Sequence, residues 1–198
     1  FELEKLGYDV IGADISEEML GIANEKKYEF ASNVLFLNQS MQELDLYGTV
    51  DAAVCALDSV NHLVQPEELQ KGFEKISLFL HPDGVFVFDV NTIYKHRHIL
   101  ANETFVLECE EVYCVWQNEY HEQDHIVDIQ LDFFRECRDG RYERTQELFC
   151  ERAYSDDEMR TLLAAAGLKV IACYDSDSFL PPGPESQRVV YIAKHFEK

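Results

Sequence analysis

From Val127 to Phe133 the chain alternates without a break: Val127, Ile129, Leu131 and Phe133 are apolar, and Asp128, Gln130 and Asp132 between them are polar. A period of two predicts a half-buried antiparallel strand, here over His125–Phe134. Thr104–Trp116 and Tyr142–Cys150 read as strands beside it, the latter returning from a hairpin turn at Arg138-Asp139-Gly140-Arg141. The first ninety residues follow a different rule. Short apolar runs at 8–14, 33–38, 50–57 and 85–90 alternate with segments whose apolar residues recur at helical spacing: Met19, Leu20, Ile22 and Ala23, then Leu69, Phe73, Ile76, Phe79 and Leu80. Ser16 is placed to cap the first of these helices, Pro66 opens the second, and His81-Pro82-Asp83-Gly84 reads as a turn before a fully buried strand.

Strands that alternate with helices predict an α/β fold with a mostly parallel sheet. Residues 93–153 interrupt it as an antiparallel β insertion. After that, Ser155-Asp-Asp-Glu158 is a capping box for a helix that stops at Gly167. Leu168–Tyr174 and Arg188–Phe196 are the closing strands, joined through a loop that holds Pro181-Pro182-Gly183-Pro184. Nothing marks a second domain, so 1–198 is read as a single domain.

Composition narrows the class. With 46% hydrophobic and 28% charged residues in 198, there is apolar material for one core. No apolar run approaches the roughly 20 residues of a membrane span, and the first residues do not resemble a signal peptide, so a cytoplasmic location is expected. The net charge of −21 would repel a phosphate backbone, which argues against nucleic acid as a partner. The densest basic run, Lys95-His96-Arg97-His98, is expected to be solvated. Six cysteines show no CxxC pair and no zinc spacing, so no metal ligand set is predicted. They are expected to be reduced core residues, with Cys55 the one to watch at the end of a strand.

The run Val10-Ile-Gly-Ala-Asp14-Ile-Ser16-Glu-Glu-Met19 places a carboxylate at the carboxyl end of a strand, where open α/β sheets grip the ribose of a nucleotide-like cofactor. Three more pieces follow in order: Leu35-Phe-Leu-Asn-Gln39-Ser40-Met41, Asp51-Ala-Ala-Val-Cys-Ala-Leu57-Asp58-Ser59-Val-Asn61-His62-Leu63, and Leu80-His-Pro82-Asp83-Gly84-Val-Phe-Val-Phe-Asp89. Together with Arg152-x-Tyr154-x-x-x-Glu158 and the helix up to Gly167, they resemble a class I S-adenosylmethionine-dependent methyltransferase over most of the chain. The resemblance implies a Rossmann-like sheet with an antiparallel last strand and S-adenosylmethionine as cofactor. It also implies a glycine-rich first motif and first strand, roughly 30 to 45 residues that would precede Phe1. The third strand departs from the family pattern: Ser40 stands where an acidic residue usually meets the adenine amino group, and a neutral contact there is weaker than a charge-assisted one.

On this resemblance Asp14 binds the ribose hydroxyls, Ile15 packs on the adenine, and Ser40, Met41 and Leu57 line the rest of the cofactor pocket. Asp58 and His62, on the loop after the fourth strand, are the candidate catalytic groups: Asp58 orients the acceptor or offsets the sulfonium charge, and His62 takes a proton. Asp89, Arg152 and Tyr154 are candidate contacts for a small-molecule acceptor. Two other functions fit the same residues. A nicotinamide-dependent oxidoreductase would use Asp14 equally well, although the Leu-x-Pro-x-Gly turn speaks against it. A non-catalytic cofactor-binding protein could dimerise through the insertion.

Overall fold

The computed structural model describes residues 1–109 and 112–196. Parallel pairing runs through the first ninety residues, as the alternation of strands and helices requires. A short helix, α1 (Glu2–Lys5), leads through Gly7, whose φ of +95° suits glycine, into β1 (Ile11–Asp14). Helix α2 (Glu17–Glu29) follows, capped by Ser16, whose side chain accepts from the Met19 N–H at 3.1 Å. Strand β2 (Leu35–Asn38) then pairs parallel with β1.

Next come β3 (Val50–Cys55), α3 (Pro66–Phe79) and β4 (Leu80–Asn91), with β3 and β4 parallel. After the insertion, α4 (Asp156–Ala165) starts at the expected Ser155–Glu158 capping box and ends before Gly167, at φ +81°. Strand β9 (Leu168–Asp175) and the last strand, β10 (Arg188–His195), complete the order β3-β4-β10-β9, with β10 antiparallel to both neighbours. The antiparallel last strand is therefore as expected.

The core sits between this sheet and helices α3 and α4. Leu69, Phe73 and Ile76 on α3, and Met159 and Leu163 on α4, are buried against Phe86, Phe88, Val90 and Tyr191. The aromatic rings pack in order, Phe86 on Phe88 at 4.7 Å and Phe88 on Tyr191 at 5.2 Å between centroids.

The insertion is a separate antiparallel sheet, β5 (Thr104–Cys109), β6 (Val112–His121), β7 (Ile126–Glu136) and β8 (Tyr142–Arg152) in sequence order. The single strand expected over 104–116 is two, paired antiparallel with Cys109 opposite Val112; residues 110 and 111 of that run lie outside the described residues. Both halves are rich in strand formers, so the pattern alone did not mark the break. One face of the sheet carries Ile129, Leu131, Trp116 and Phe149 onto Leu100.

Three further expectations need correction. The strand at 85–90 is not buried on both sides: Phe86, Phe88 and Val90 are buried, while Val85 and Val87 alternate with them half-buried. Residues 81–84 belong to the irregular start of β4, a bulge between the Val50–Leu80 and Ala52–Val85 pairs, rather than to a separate turn. Gly84 is needed there, because a Cβ would meet the His81 carbonyl oxygen at 2.8 Å. Helix α2 buries only Leu20; Met19 and Ile22 of its expected apolar face are about half exposed, since it packs mainly on β1 and β2.

The cysteines are less buried than expected: Cys114 is buried, but Cys109 and Cys150 are exposed. They occupy the alternate positions of strands with one wet face. The basic run 95–98 is solvated only in part: Arg97 and His98 are exposed and Lys95 is half-buried. It forms a wide turn, Lys95–Leu100, in which His96 is fully buried.

Among the described residues β1 pairs only with β2, and β3 only with β4. Strands β1 and β3 do not hydrogen-bond to each other. No helix of the described residues is long and apolar enough to cross a membrane.

Asn61 is one of the buried side chains that join the insertion to the α/β sheet. Asn61 Nδ2 donates to the carbonyl oxygens of Asn91 (3.0 Å) and Arg152 (2.9 Å), and its Oδ1 accepts from the Asn91 N–H at 2.9 Å. Asn61→Ala would leave these buried groups unpaired, at about 1–3 kcal/mol each in the worst case. Unfolding in urea should show a loss of roughly 2–4 kcal/mol at an unchanged slope; a loss below about 1 kcal/mol would mean that this contact does not hold the two sheets together.

Candidate active site

Strand β3 ends at Cys55, and the chain then leaves the sheet through two residues held at positive φ, Leu57 (+60°) and Asp58 (+53°). Neither is glycine, so the loop is strained, as residues fixed by their surroundings at functional sites often are. What fixes it is visible. The Asp58 N–H donates to Asp89 Oδ2 at 3.3 Å, and its carbonyl accepts from the Asn61 N–H at 2.7 Å. Its carboxylate oxygen Oδ2 accepts from Arg188 at 2.8 Å and from the Asn91 amide at 2.6 Å. Arg188, at the start of β10, also donates to Asp89, so one guanidinium bridges the carboxylates at the ends of β3 and β4.

The Asn91 amide reaches further, to Glu151 Oε2 on β8 at 3.0 Å, and Asn91 Oδ1 accepts from Lys95 Nζ at 2.8 Å. Burial and the neighbouring Arg188 hold the Lys95 ammonium below its usual pKa. His62 follows Asp58 on a single 3₁₀ turn and is half exposed, with Nε2 4.0 Å from Glu151 Oε1 and its ring on Phe149. Burial pushes the Glu151 carboxyl up, but His96, Asn91 and the nearby His62 outweigh it and keep its pKa below the usual range.

The expected cofactor residues form a second group at the ends of β1 and β2. Asp14 closes β1, and its Oδ1 accepts from the Ser16 N–H at 2.8 Å, which leaves its other oxygen open to solvent. Ile15 and Leu57 expose 72% and 76% of their surface, unusual for large apolar side chains beside a strand end. Ser40 donates to Glu43 at 3.1 Å. Met41 packs on α3, where Gly72 makes room for it: a Cβ on Gly72 would lie 2.8 Å from the Met41 sulfur. An exposed carboxylate flanked by open apolar side chains suits a ribose with an attached adenine.

Arg152 and Tyr154 are placed differently. Tyr154 is buried in the main core, its hydroxyl donates to the Leu63 carbonyl, and burial pushes its pKa up to about 12. Arg152 lies over the Tyr154 ring and donates to Glu158 at 3.0 Å. Tyr154 also lines a cavity of about 460 Å³ with Thr92, Tyr94, Arg160 and Tyr191, away from Asp58 and His62. The cavity holds one charged pair, Asp156 and Arg160, which satisfy each other, whereas five charged groups converge at the strand ends (Asp58, Asp89, Lys95, Glu151 and Arg188), so the strand ends are the better site. Cys55 carries no reactive thiolate; burial pushes its thiol up to about 11.

Residues 1–84 match a family model described as a methyltransferase domain. A Geobacillus sp. (strain WCH70) protein, "Putative methyltransferase GWCH70_2453", is 33% identical over 192 residues, 97% of this chain and 78% of the relative. The chain belongs to the class I S-adenosylmethionine-dependent methyltransferases. Among solved structures, an S-adenosylmethionine-dependent methyltransferase from Clostridium acetobutylicum ATCC 824 superposes with a TM-score of 0.88 at 28% identity, covering 96% of this chain and 76% of that one. The sugar N-methyltransferase KedS8 from Streptoalloteichus sp. ATCC 53650 shares the fold, with a TM-score of 0.73 at 18% identity over 94% of this chain and 71% of its own. S-adenosylmethionine is thus the cofactor of this methyltransferase.

Sequence reasoning missed Asn91, Lys95, His96, Glu151 and Arg188 in the methyltransferase's polar cluster. Arg188 sits 99 and 130 residues from the carboxylates it bridges, so no local motif could reveal it. Only its place at the head of the strand next to β4 was a signal. Arg188→Met should cost about 1–3 kcal/mol in denaturant unfolding, since it strips the shared partner from two half-buried carboxylates. A cost near zero would show that Asp58 and Asp89 are satisfied without it.

Proposed function

We propose that this methyltransferase acts on a small-molecule acceptor, held between the carboxyl ends of β3 and β4 and the inner edge of the insertion. One observation carries the reading. The half-exposed His62 imidazole stands over a buried Glu151 carboxylate, beside Asp58, at the one place where the loop after β3 meets β8. A site walled on one side by a separate sheet suits a small acceptor.

When bound, S-adenosylmethionine supplies a sulfonium methyl group already activated for transfer. The protein's part is therefore mostly positioning, with the acceptor's lone pair free and in line. Asp14 holds the ribose hydroxyls, Ile15 and Met41 flank the adenine, and Ser40 and Leu57 border it. Asp58 and Asp89, fixed by Arg188, orient the acceptor and offset positive charge. His62 accepts the proton that an amine or hydroxyl acceptor must lose. Arg152 and Tyr154 support the floor behind the acceptor, where their polar groups are already bonded to Glu158 and Leu63. The free edges of β1 and β3 accept a further strand between them, which would cover the exposed Val54 and Ile11.

S-adenosylhomocysteine at about 100 times its Kd should raise the stability of the full-length protein by roughly 2.7 kcal/mol, read as a thermal shift. NAD should do nothing; a shift with NAD and none with S-adenosylhomocysteine would move the pocket to an oxidoreductase.

Asp14→Ala removes two charge-assisted hydrogen bonds to the ribose. Calorimetry should find S-adenosylhomocysteine binding weaker by roughly 1.5–3 kcal/mol with the melting temperature of the free protein unchanged. Wild-type affinity in this variant would place the ribose elsewhere.

A further inference from the structure

His96 is fully buried, and its Nε2 has no hydrogen-bond partner. Its other nitrogen, Nδ1, is 3.2 Å from the His125 carbonyl oxygen. A carbonyl only accepts, so Nδ1 carries the hydrogen, and in the neutral ring Nε2 bears a lone pair. That lone pair faces Glu151 Oε2 at 3.5 Å, in poor geometry for a hydrogen bond. A buried ring nitrogen left without a hydrogen bond costs free energy unless a proton shared with Glu151 or a cation between the two groups satisfies it. An imidazole whose far N–H is tied to a backbone carbonyl is also the arrangement that orients a metal-ligating histidine.

The neighbouring groups complete a set. One ligand atom from each of Asp58, His62 and Glu151 lies within 4.8 Å of the other two. Asn91 and Arg188 occupy one oxygen of Asp58, and Asn91 one oxygen of Glu151, so each carboxylate keeps its second oxygen free of hydrogen bonds among the described residues. The two imidazoles flank the Glu151 carboxylate, His62 Nε2 4.0 Å from the free Oε1 and His96 Nε2 3.5 Å from Oε2, near the roughly 3.4 Å between ligands bound 2.0–2.1 Å from a tetrahedral ion. The wider spread closes if half-exposed His62 turns inward. The fixed charges leave room for a cation: among the described residues, three carboxylates, Asp58, Asp89 and Glu151, are balanced by Arg188 and the nearby Lys95, with His62 and His96 beside Glu151.

We propose that Asp58, His62, Glu151 and His96 form a binding site for a divalent metal ion of the zinc type. Two imidazoles and two carboxylates suit zinc better than magnesium, which prefers oxygen alone. The inference deepens the proposed acceptor site: an ion there takes over the task given to His62, lowering the proton affinity of an acceptor oxygen or nitrogen that ligates it.

The test is a titration of chelator-treated, full-length protein with cobalt(II), a coloured stand-in for zinc. One equivalent should bind with visible ligand-field bands and without the near-ultraviolet band of a thiolate, since exposed Cys109 and Cys150 are the competing ligands. Zinc should displace it, and magnesium should not. His62→Ala and Glu151→Gln should each weaken binding at least about 10-fold, while Cys150→Ser leaves it unchanged. His62 is half exposed, so its variant keeps the fold even if Glu151→Gln does not. No binding, a thiolate band, wild-type affinity in His62→Ala, or nitrogen NMR shifts showing His96 as an imidazolium in metal-free protein would each overturn the proposal. S-adenosylhomocysteine binding does not depend on the ion, so its retention after a failed titration leaves methyl transfer standing.

Discussion

The Asn91 side chain is the constraint on which the rest of the site depends. It lies at the last position of β4, 1% exposed, where β3, the turn after β4 and β8 all meet. Its amide nitrogen serves Asp58 and Glu151 together, its oxygen takes Lys95, and its backbone N–H goes to Asn61. A buried amide costs free energy unless nearly all its bonds are made. Here they are made only when the insertion is docked and the loop after β3 is in its strained conformation. Positive φ at Leu57 and Asp58 is thus explained without special chemistry: the network over-determines it. The same network holds two carboxylates side by side, an arrangement that would repel if Arg188 and Lys95 were not drawn in beside it.

The two halves of the α/β part differ in how they are stabilised. The sheet β3-β4-β10-β9 has helices α3 and α4 on it, an aromatic stack through Phe73, Phe86, Phe88 and Tyr191, and core residues that are almost fully buried. The β1-β2 pair has four residues per strand, one helix, and contact with the remainder mainly through Met41 on α3. A two-stranded pair with one helix is marginal by itself. Asp14, the carboxylate proposed for the ribose, is therefore carried on the weaker element, and the polar cluster on the stronger. Cofactor binding must stabilise the first far more than the second.

The sequence was most legible where the signal is local. The strand read from Val127 to Phe133, the capping box at Ser155, the Ser16 cap and the glycine stop at Gly167 all depend on neighbours within four residues and all appear as read, except that Asp132, bonded by Arg144, is buried where the alternation has it exposed. Family likeness added the antiparallel last strand. Helix α2 misled because its apolar face was real but its partner surface is small. The break between β5 and β6 escaped because both halves have the same propensity. The site divided along the same line. Asp14, Asp58, His62 and Asp89 are strand-end residues that sequential reading can find. Asn91, Glu151, His96 and Arg188 act through contacts 30 to 130 residues away, and only the register of β4 against β10 and the docking of β8 bring them in.

That division explains why the acceptor chemistry is concentrated where it is. The insertion does not simply wall off the strand ends; it contributes a buried carboxylate to them, from the next-to-last position of β8. Glu151 is neighbour to Arg152 and, beyond it, to Tyr154, which turns into the main core and is bonded to Leu63 on the loop that carries His62. The chain thus crosses from insertion to core within a few residues, with alternating side chains facing opposite ways: Glu151 toward His62, Arg152 toward Glu158 and the start of α4. A strand that exits the site directly into a capped helix cannot slide without breaking both the Ser155 cap and the Asn61–Arg152 bond. The position of Glu151 relative to His62 is set by these two contacts together with the Asn91–Glu151 bond.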